Sequence, residues 1–277
     1  MKFFYKYFGK DNHVNDSGEM FVCCPFPHYD NEGNAYYEKN PSAHINIEKS
    51  IFHCKVCGEG MSEVRFLSKL QGISYKEALL MLRELDQKKE QLGSWTEFRK
   101  NFLNSEAPQK LCQELGILEV AEELQIGYTG TGISFPVFVY GELLDIRTYN
   151  PNGEPKVRSE KNAKSLIIPF DLWMEDDRPT LLCAGEKDMA IARVFGFNSI
   201  TFTGGEQAFP KLFKASFRGK KVYIIYDNDQ AGQEGARKAA TLLKDAGAIP
   251  YVVTGHYKVC KQQGEDLHDF FMKYGKS

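Results

Sequence analysis

From residue 180 onward the chain alternates short apolar runs with amphipathic stretches, and few folds admit that alternation. Residues 180–184 form a short apolar strand, and residues 186–195 then carry Met189, Ile191, Ala192 and Phe195 before Gly196, the pattern of a helix stopped by glycine. A strand at 199–202 leads into the Gly204-Gly205 turn, and residues 221–226 are the most strand-like segment of the chain. A helix over 231–245, with Ala236, Ala239, Ala240, Leu242 and Leu243, ends at Gly247 and hands over to a strand at 249–253. Strands and helices in this order imply right-handed crossovers and a parallel sheet covered on both faces.

Acids stand where these strands should end: AGEKD at 184–188, IIYDND at 224–229 and GEDLHDFF at 264–271. The carboxyl edge of a parallel sheet is where such folds bind ligands. Asp227 and Asp229 are two apart, so they share a side if extended geometry continues past Tyr226. Asp266 and Asp269 are three apart where a helix is expected to start, and share a face. Magnesium is held by one or two carboxylates together with water and substrate phosphates, so an acid-rich rim suits phosphoryl transfer. Helix capping explains Asp229 or Asp266 singly, but three clusters at strand ends favour a metal.

These residues resemble the Toprim domain, shared by bacterial and phage primases, type IA and type II topoisomerases, and some nucleases and repair proteins. The resemblance implies that Glu186 is the motif glutamate and that Asp227 and Asp229 are its aspartate pair, as catalytic, metal-binding residues. Glu265, Asp266 and Asp269 match a further acidic segment of primases, which adds Asp266 and Asp269 to the magnesium or manganese site.

Near the amino terminus CPFPH (24–28) is followed by FHCKVCG (52–58). Cys54 and Cys57 have the gap of a zinc knuckle, with Gly58 freeing the backbone, and Cys24 with His28 completes a four-ligand set that leaves no open position. Such a site is structural. Cys23, His44 and His53 compete as ligands, while Cys112, Cys183 and Cys260 read as ordinary core or surface residues. The segment looks like the zinc-binding domain of bacterial and phage replicative primases, with NPSAHIN (40–46) as the Pro-Ser stretch and Phe52 as the aromatic before the knuckle. It departs from that pattern through Pro27, which puts His28 four residues after Cys24, and through an apparent insertion at 30–39.

After the knuckle, residues 62–70 and 74–85 read as helices, the second opened by a Ser74/Glu77 capping box. The expected organisation is a zinc-binding domain (1–87), a linker (88–94), a mixed α+β subdomain (95–177) and a Toprim domain (178–277), an α/β and α+β multidomain chain. In the middle region, 109–115 and 118–124 look helical, while 133–137 and 139–148 look like strands paired around Gly141. The resemblance makes this the amino-terminal subdomain of the primase core, with Arg147, Lys156 and Arg158, joined by Lys187, binding template or triphosphate. Lys161, Lys164 and a run at 211–221 add cations that a polyanionic substrate requires.

A net charge of -2 excludes nothing here, because a chain that gathers acids at a metal site can be basic elsewhere. Lysines interrupt the aromatic start, so no signal peptide is read, and no apolar run spans a bilayer. Free thiols beside a zinc knuckle fit a reducing bacterial cytoplasm, in a phage- or plasmid-encoded setting or otherwise. The resemblance implies a DNA-dependent RNA primase with one structural zinc and catalytic magnesium or manganese. Its partners would be single-stranded DNA, ribonucleoside triphosphates, an RNA/DNA hybrid product and a replicative helicase, fused or separate, with no membrane. A metal-dependent Toprim nuclease and a non-catalytic DNA-binding protein are the alternatives.

Overall fold

The computed structural model describes residues 3–8, 14–87, 91–159, 165–205, 208–254 and 266–275. Cys260, Glu265, Lys161 and Lys164 lie outside them. The chain divides into two units, Met1–Asp86 and Gln87–Ser277.

In the first unit, α1 (Phe3–Phe8) precedes β1 (Glu19–Val22), β2 (His28–Tyr29), β3 (Ala35–Tyr36), β4 (Ala43–Asn46), β5 (Ile51–Cys54), β6 (Gly60–Ser62), α2 (Glu63–Gln71) and α3 (Tyr75–Gln87). An antiparallel sheet runs β1-β4-β5-β6, and β2 pairs with β3 in a separate hairpin. Alternation decides its inner face: Met20, Val22, Ala43, Ile45, Phe52, Cys54 and Met61 are buried. Helix α2 lays Phe66 over that face, with ring centroids 5.1 Å from Phe4, 5.3 Å from Phe26 and 5.0 Å from Phe52. Gly72 then ends α2 in the left-handed region, at φ 63°. The Ser74/Glu77 capping box forms, Glu77 accepting from Ser74 N at 2.9 Å and Ser74 Oγ accepting from Glu77 N at 3.2 Å.

In the second unit, α4 (Gln91–Leu103) and α5 (Glu106–Glu114) lead to a sheet of order β10-β9-β8-β7, built from β7 (Gly127–Tyr128), β8 (Ile133–Val139), β9 (Glu142–Tyr149) and β10 (Val157–Ser159). The linker expected at 88–94 is therefore helical over 91–94. Trp95 of α4 packs on Leu143 and Ile146 of β9, which ties that helix to the sheet. The helix expected over 118–124 is only a 3-10 turn, Leu118–Val120. Left-handed residues bracket this stretch, Gly116 at φ 69° and Gln125 at φ 51°, and the residues after Val120 continue as turn. The β8–β9 hairpin turns through Tyr140 and Gly141, both at positive φ. Their N–H groups donate to Asp171 at 2.6 and 2.7 Å, which fastens the turn to the next layer. Burial, only partly offset by those two donors, raises the Asp171 carboxyl.

That layer comprises β11 (Ile167–Ile168), α6 (Phe170–Met174), β12 (Thr180–Cys183), α7 (Glu186–Val194), β13 (Asn198–Phe202), β14 (Lys221–Ile225), α8 (Gln230–Asp245), β15 (Ile249–Val252) and α9 (Leu267–Tyr274). The sheet order is β11-β13-β12-β14-β15. All pairs are parallel except the edge strand β11, which runs antiparallel to β13. From β12 the chain crosses to β13 through α7, and from β14 it crosses in the other direction to β15 through α8. Right-handed crossovers of opposite direction put the two helices on opposite faces. The segments expected as a middle subdomain and a Toprim domain thus lie in one unit.

Phe66 is the most connected ring of the first unit. Phe66→Ala should lower stability by about 3–5 kcal/mol, read as an earlier denaturation midpoint of the zinc-loaded protein; an unchanged midpoint would deny it that role.

Candidate metal and nucleotide sites

The zinc-type cluster lies within the first unit. Strand β1 runs into Cys24, β5 ends on Cys54, and the turn after Cys54 carries Cys57 and then reverses through Gly58 at φ 69°. His28, 2 % exposed, opens β2. The donor atoms of Cys24, His28, Cys54 and Cys57 all lie within 4.8 Å of one another, with His28 Nε2 3.5 Å from Cys54 Sγ. The four residues expected from the sequence meet, and the extra residue contributed by Pro27 does not remove His28. His44 and His53 instead face each other across β4 and β5, their rings tilted at 47° with centroids 5.1 Å apart.

The thiols differ in acidity. Burial pushes Cys24 up to about 12, aided by the neighbouring Cys54 and Cys57. At Cys54 burial acts the same way, but the Cys57 N–H, the Ser42 hydroxyl and the Val56 N–H outweigh it and bring the thiol to about 7. Three soft sulfur donors and one imidazole, with no carboxylate in the set, suit zinc in a closed tetrahedral site.

The acidic rim follows from strand pairing. Strands β12 and β14 pair in parallel from Thr180↔Val222 to Cys183↔Ile225, so their carboxyl ends emerge side by side. Glu186 opens α7 beside one end, and Asp227 follows the other. Gly232, in the first turn of α8, packs so closely that a Cβ there would come 2.3 Å from the Asp227 carbonyl oxygen.

Most of the expected acids are already engaged. Glu186, 4 % exposed, accepts from Arg147 Nε at 2.7 Å, while Arg147 NH1 donates to Ser159 Oγ at 2.7 Å. Lys187 donates to Asp266 at 2.7 Å. Asp229 caps α8, accepting from Gly232 N at 2.7 Å, four residues after β14 ends at Ile225. Asp266 and Asp269 form a capping box on α9. Among the described residues, Asp266, His268 and Asp269 bring their donor atoms within 4.8 Å of one another, whereas Glu186, Asp227 and Asp229 do not form such a group.

Asp188 was not singled out from the sequence, yet it is 5 % exposed and sits at the centre of this rim. It accepts from His268 N at 3.0 Å. Burial, followed by repulsion from Asp266 and Asp227 and opposed by Lys187, raises its carboxyl well above the usual range. The available signal was an acid on the apolar stripe that α7 turns inward with Ile191 and Ala192. Asp266 is shifted the opposite way: burial works against ionisation, but the Lys187 hydrogen bond and the Asp269 N–H hold it low.

The basic residues do not converge as expected. Arg147 is drawn into the rim, whereas Lys156 and Arg158 are exposed on and beside β10, Arg158 donating to Glu154 O at 2.6 Å. Lys221 begins β14, so a strand of about 15 Å separates it from Asp227, and Lys220 rests on the Trp173 ring. Lys220 and Lys221 thus lie at the opposite end of the strand from the acids.

Residues 10–93 match the CHC2 zinc finger family and residues 185–271 match the Toprim-like family. The chain is thus a zinc-finger and Toprim protein. The DNA primase of Chlamydia muridarum is 36% identical over 96% of this chain and 54% of its own length. Those of Campylobacter jejuni and Aquifex aeolicus are 25% and 24% identical, over 83% and 91% of this chain and 48% and 61% of their own lengths. The crystal structure of the Aquifex aeolicus primase zinc-binding and RNA polymerase domains shares the fold, with a TM-score of 0.56 at 20% identity, over 96% of this chain and 78% of that one. These findings make the chain a relative of the bacterial replicative primases, of the type with an amino-terminal zinc-binding domain and a Toprim domain. It spans about half to three fifths of the length of these relatives.

The Arg147–Glu186 pair has side-chain exposures of 14% and 5%, so neither charge is well solvated alone. Glu186→Gln and Arg147→Met should each cost about 3 kcal/mol, and the double variant should cost less than their sum by about 1–3 kcal/mol. Denaturant unfolding of the four proteins measures this coupling; strictly additive costs would refute it.

Proposed function

We propose that this chain is the primer-synthesising part of a DNA-dependent RNA primase, working on single-stranded DNA with ribonucleoside triphosphates. The observation that carries the reading is the parallel β12–β14 pairing, which delivers Asp188 beside Asp227 and starts α7 with Glu186 at the same edge in a chain related to primases. Asp227 and Glu186 hold magnesium or manganese, supported by Asp229, Asp266 and Asp269. When bound, the ion supplies charge neutralisation at the nucleotide phosphates and lowers the pKa of the attacking 3'-hydroxyl. Arg147 takes a phosphate at the same edge, exchanging its contact with Glu186 for one with substrate. Lys156 and Arg158, exposed on their hairpin, track the template backbone. Lys187 keeps Asp266 ionised.

Cys24, His28, Cys54 and Cys57 hold one structural zinc, and the sheet around it presents Phe21, His44 and His53 in one cross-strand row. Aromatic rows of this kind stack unpaired bases, so this face grips the template. An RNA/DNA hybrid is the product, and a replicative helicase is the expected partner. The proposed setting is the bacterial cytoplasm, phage- or plasmid-encoded origin included; no helix among the described residues is long and apolar enough to cross a membrane.

One observation favours a second reading. With Glu186, Asp229 and Asp266 already paired or capping, the rim is also that of a non-catalytic zinc and Toprim DNA-binding protein. Incubation with single-stranded templates, labelled ribonucleotides and magnesium or manganese separates the two. Short RNA products should form and fall on the order of 100-fold in Asp227→Asn. Binding without product favours the second reading, and template degradation without nucleotides indicates a nuclease.

A further inference from the structure

The zinc-type cluster has an outer layer that the knuckle pattern does not contain. Residues 30–39, an apparent insertion in the sequence, fold as a return. Asp30 Oδ1 accepts from Glu32 N at 2.9 Å and from Asn34 N at 2.8 Å, Gly33 turns the chain at φ 85°, and β3 then pairs with β2 through His28↔Tyr36. The Tyr36 ring stands edge-on to His28, with centroids 5.5 Å apart. This return carries Glu38 back to the buried side of His28.

There the Glu38 carboxylate is 9% exposed, and its Oε1 lies 3.2 Å from His28 Nδ1. Nδ1 has no hydrogen-bond partner in the protein, so the carboxylate meets that edge of the ring by close approach. The other carboxylate oxygen accepts from the Ser42 hydroxyl, and Ser42 Oγ stands 3.6 Å from Cys54 Sγ. Cys54 Sγ in turn faces His28 Nε2 at 3.5 Å. The ring of contacts His28, Glu38, Ser42, Cys54 closes on itself and touches two of the four candidate ligands.

An imidazole binds a metal through one nitrogen, and what its other nitrogen meets fixes the ring's orientation and tautomer. We propose that Glu38 is the positioning residue of the zinc site: its carboxylate holds His28 with Nδ1 outward and Nε2 toward the three thiols, and it ties that ring through Ser42 to Cys54. The inserted hairpin exists in this chain to deliver that carboxylate. The inference rests on the zinc reading of the four donors but not on the proposed catalytic activity.

Zinc release from the full-length, zinc-loaded protein into the colorimetric chelator 4-(2-pyridylazo)resorcinol tests it. Glu38→Ala should release zinc about 10- to 100-fold faster than wild type, Glu38→Gln at an intermediate rate, and Glu32→Gln, on the exposed turn of the same hairpin, at the wild-type rate. With cobalt in place of zinc, Glu38→Ala should keep the charge-transfer intensity of three thiolates while its d–d bands shift, a signature that general loss of stability does not produce. Wild-type release from Glu38→Ala, or equally fast release from Glu32→Gln, would overturn the proposal. Should Glu38→Ala fail to fold in excess zinc, the isosteric Glu38→Gln decides: faster release supports the role and an unchanged rate refutes it. A wild-type protein that retains no zinc would instead sink the zinc reading itself.

Discussion

The parallel pairing of β12 with β14 is the constraint on which the second unit depends. Parallel neighbours end on the same edge, so whatever follows Cys183 and Ile225 must share a small volume. The chain places the start of α7 and Asp227 there, and the right-handed crossovers through α7 and α8 cover the sheet on opposite faces. The close approach at Gly232 fixes how α8 begins and therefore where Asp227 and Asp229 lie. Among the described residues of the first unit the sheet is antiparallel, and strand ends and a glycine turn gather the sulfurs.

Charge at the rim is balanced from within. Arg147 reaches Glu186 from the antiparallel sheet, Lys187 reaches Asp266 from the adjoining helix, and Asp188 is so deeply buried that its carboxyl is shifted toward the neutral form. Like charges packed at one edge repel, and the two cations relieve that repulsion without removing the acids. A polyanion and a divalent ion arriving together would replace these internal partners charge for charge. The zinc-type cluster follows a similar logic, with the Cys57 and Val56 N–H groups drawing Cys54 toward its thiolate form while burial works the other way at Cys24.

Much of this was legible in the sequence because period and punctuation carried it. The α/β alternation after residue 180, the knuckle turn at Gly58 and the Ser74 capping box are local signals, and each appears where the residues place it. The four zinc-type donors were legible because knuckle spacing is a geometric requirement. Contacts between segments distant in sequence were not: Arg147 with Glu186 across 39 residues, and Asp188 with His268 across 80. The capping role of Asp229 was legible too, because the helix begins at the very next residue. The helix expected at 118–124 failed because apolar periodicity says nothing of the left-handed residues that bracket it. The basic run before β14 read as adjacent to the acids only because sequence proximity ignores the length of the strand between them.

The divalent ion proposed for the β12–β14 edge can be located directly. Replacing that ion with ferrous iron and adding ascorbate and peroxide generates radicals that cut the backbone at the metal, and the fragments can be sized. The account predicts cuts near residues 184–188 and 227–229, suppressed by magnesium and lost in Asp227→Asn. Cleavage elsewhere, or the same cuts in Asp227→Asn, would contradict it.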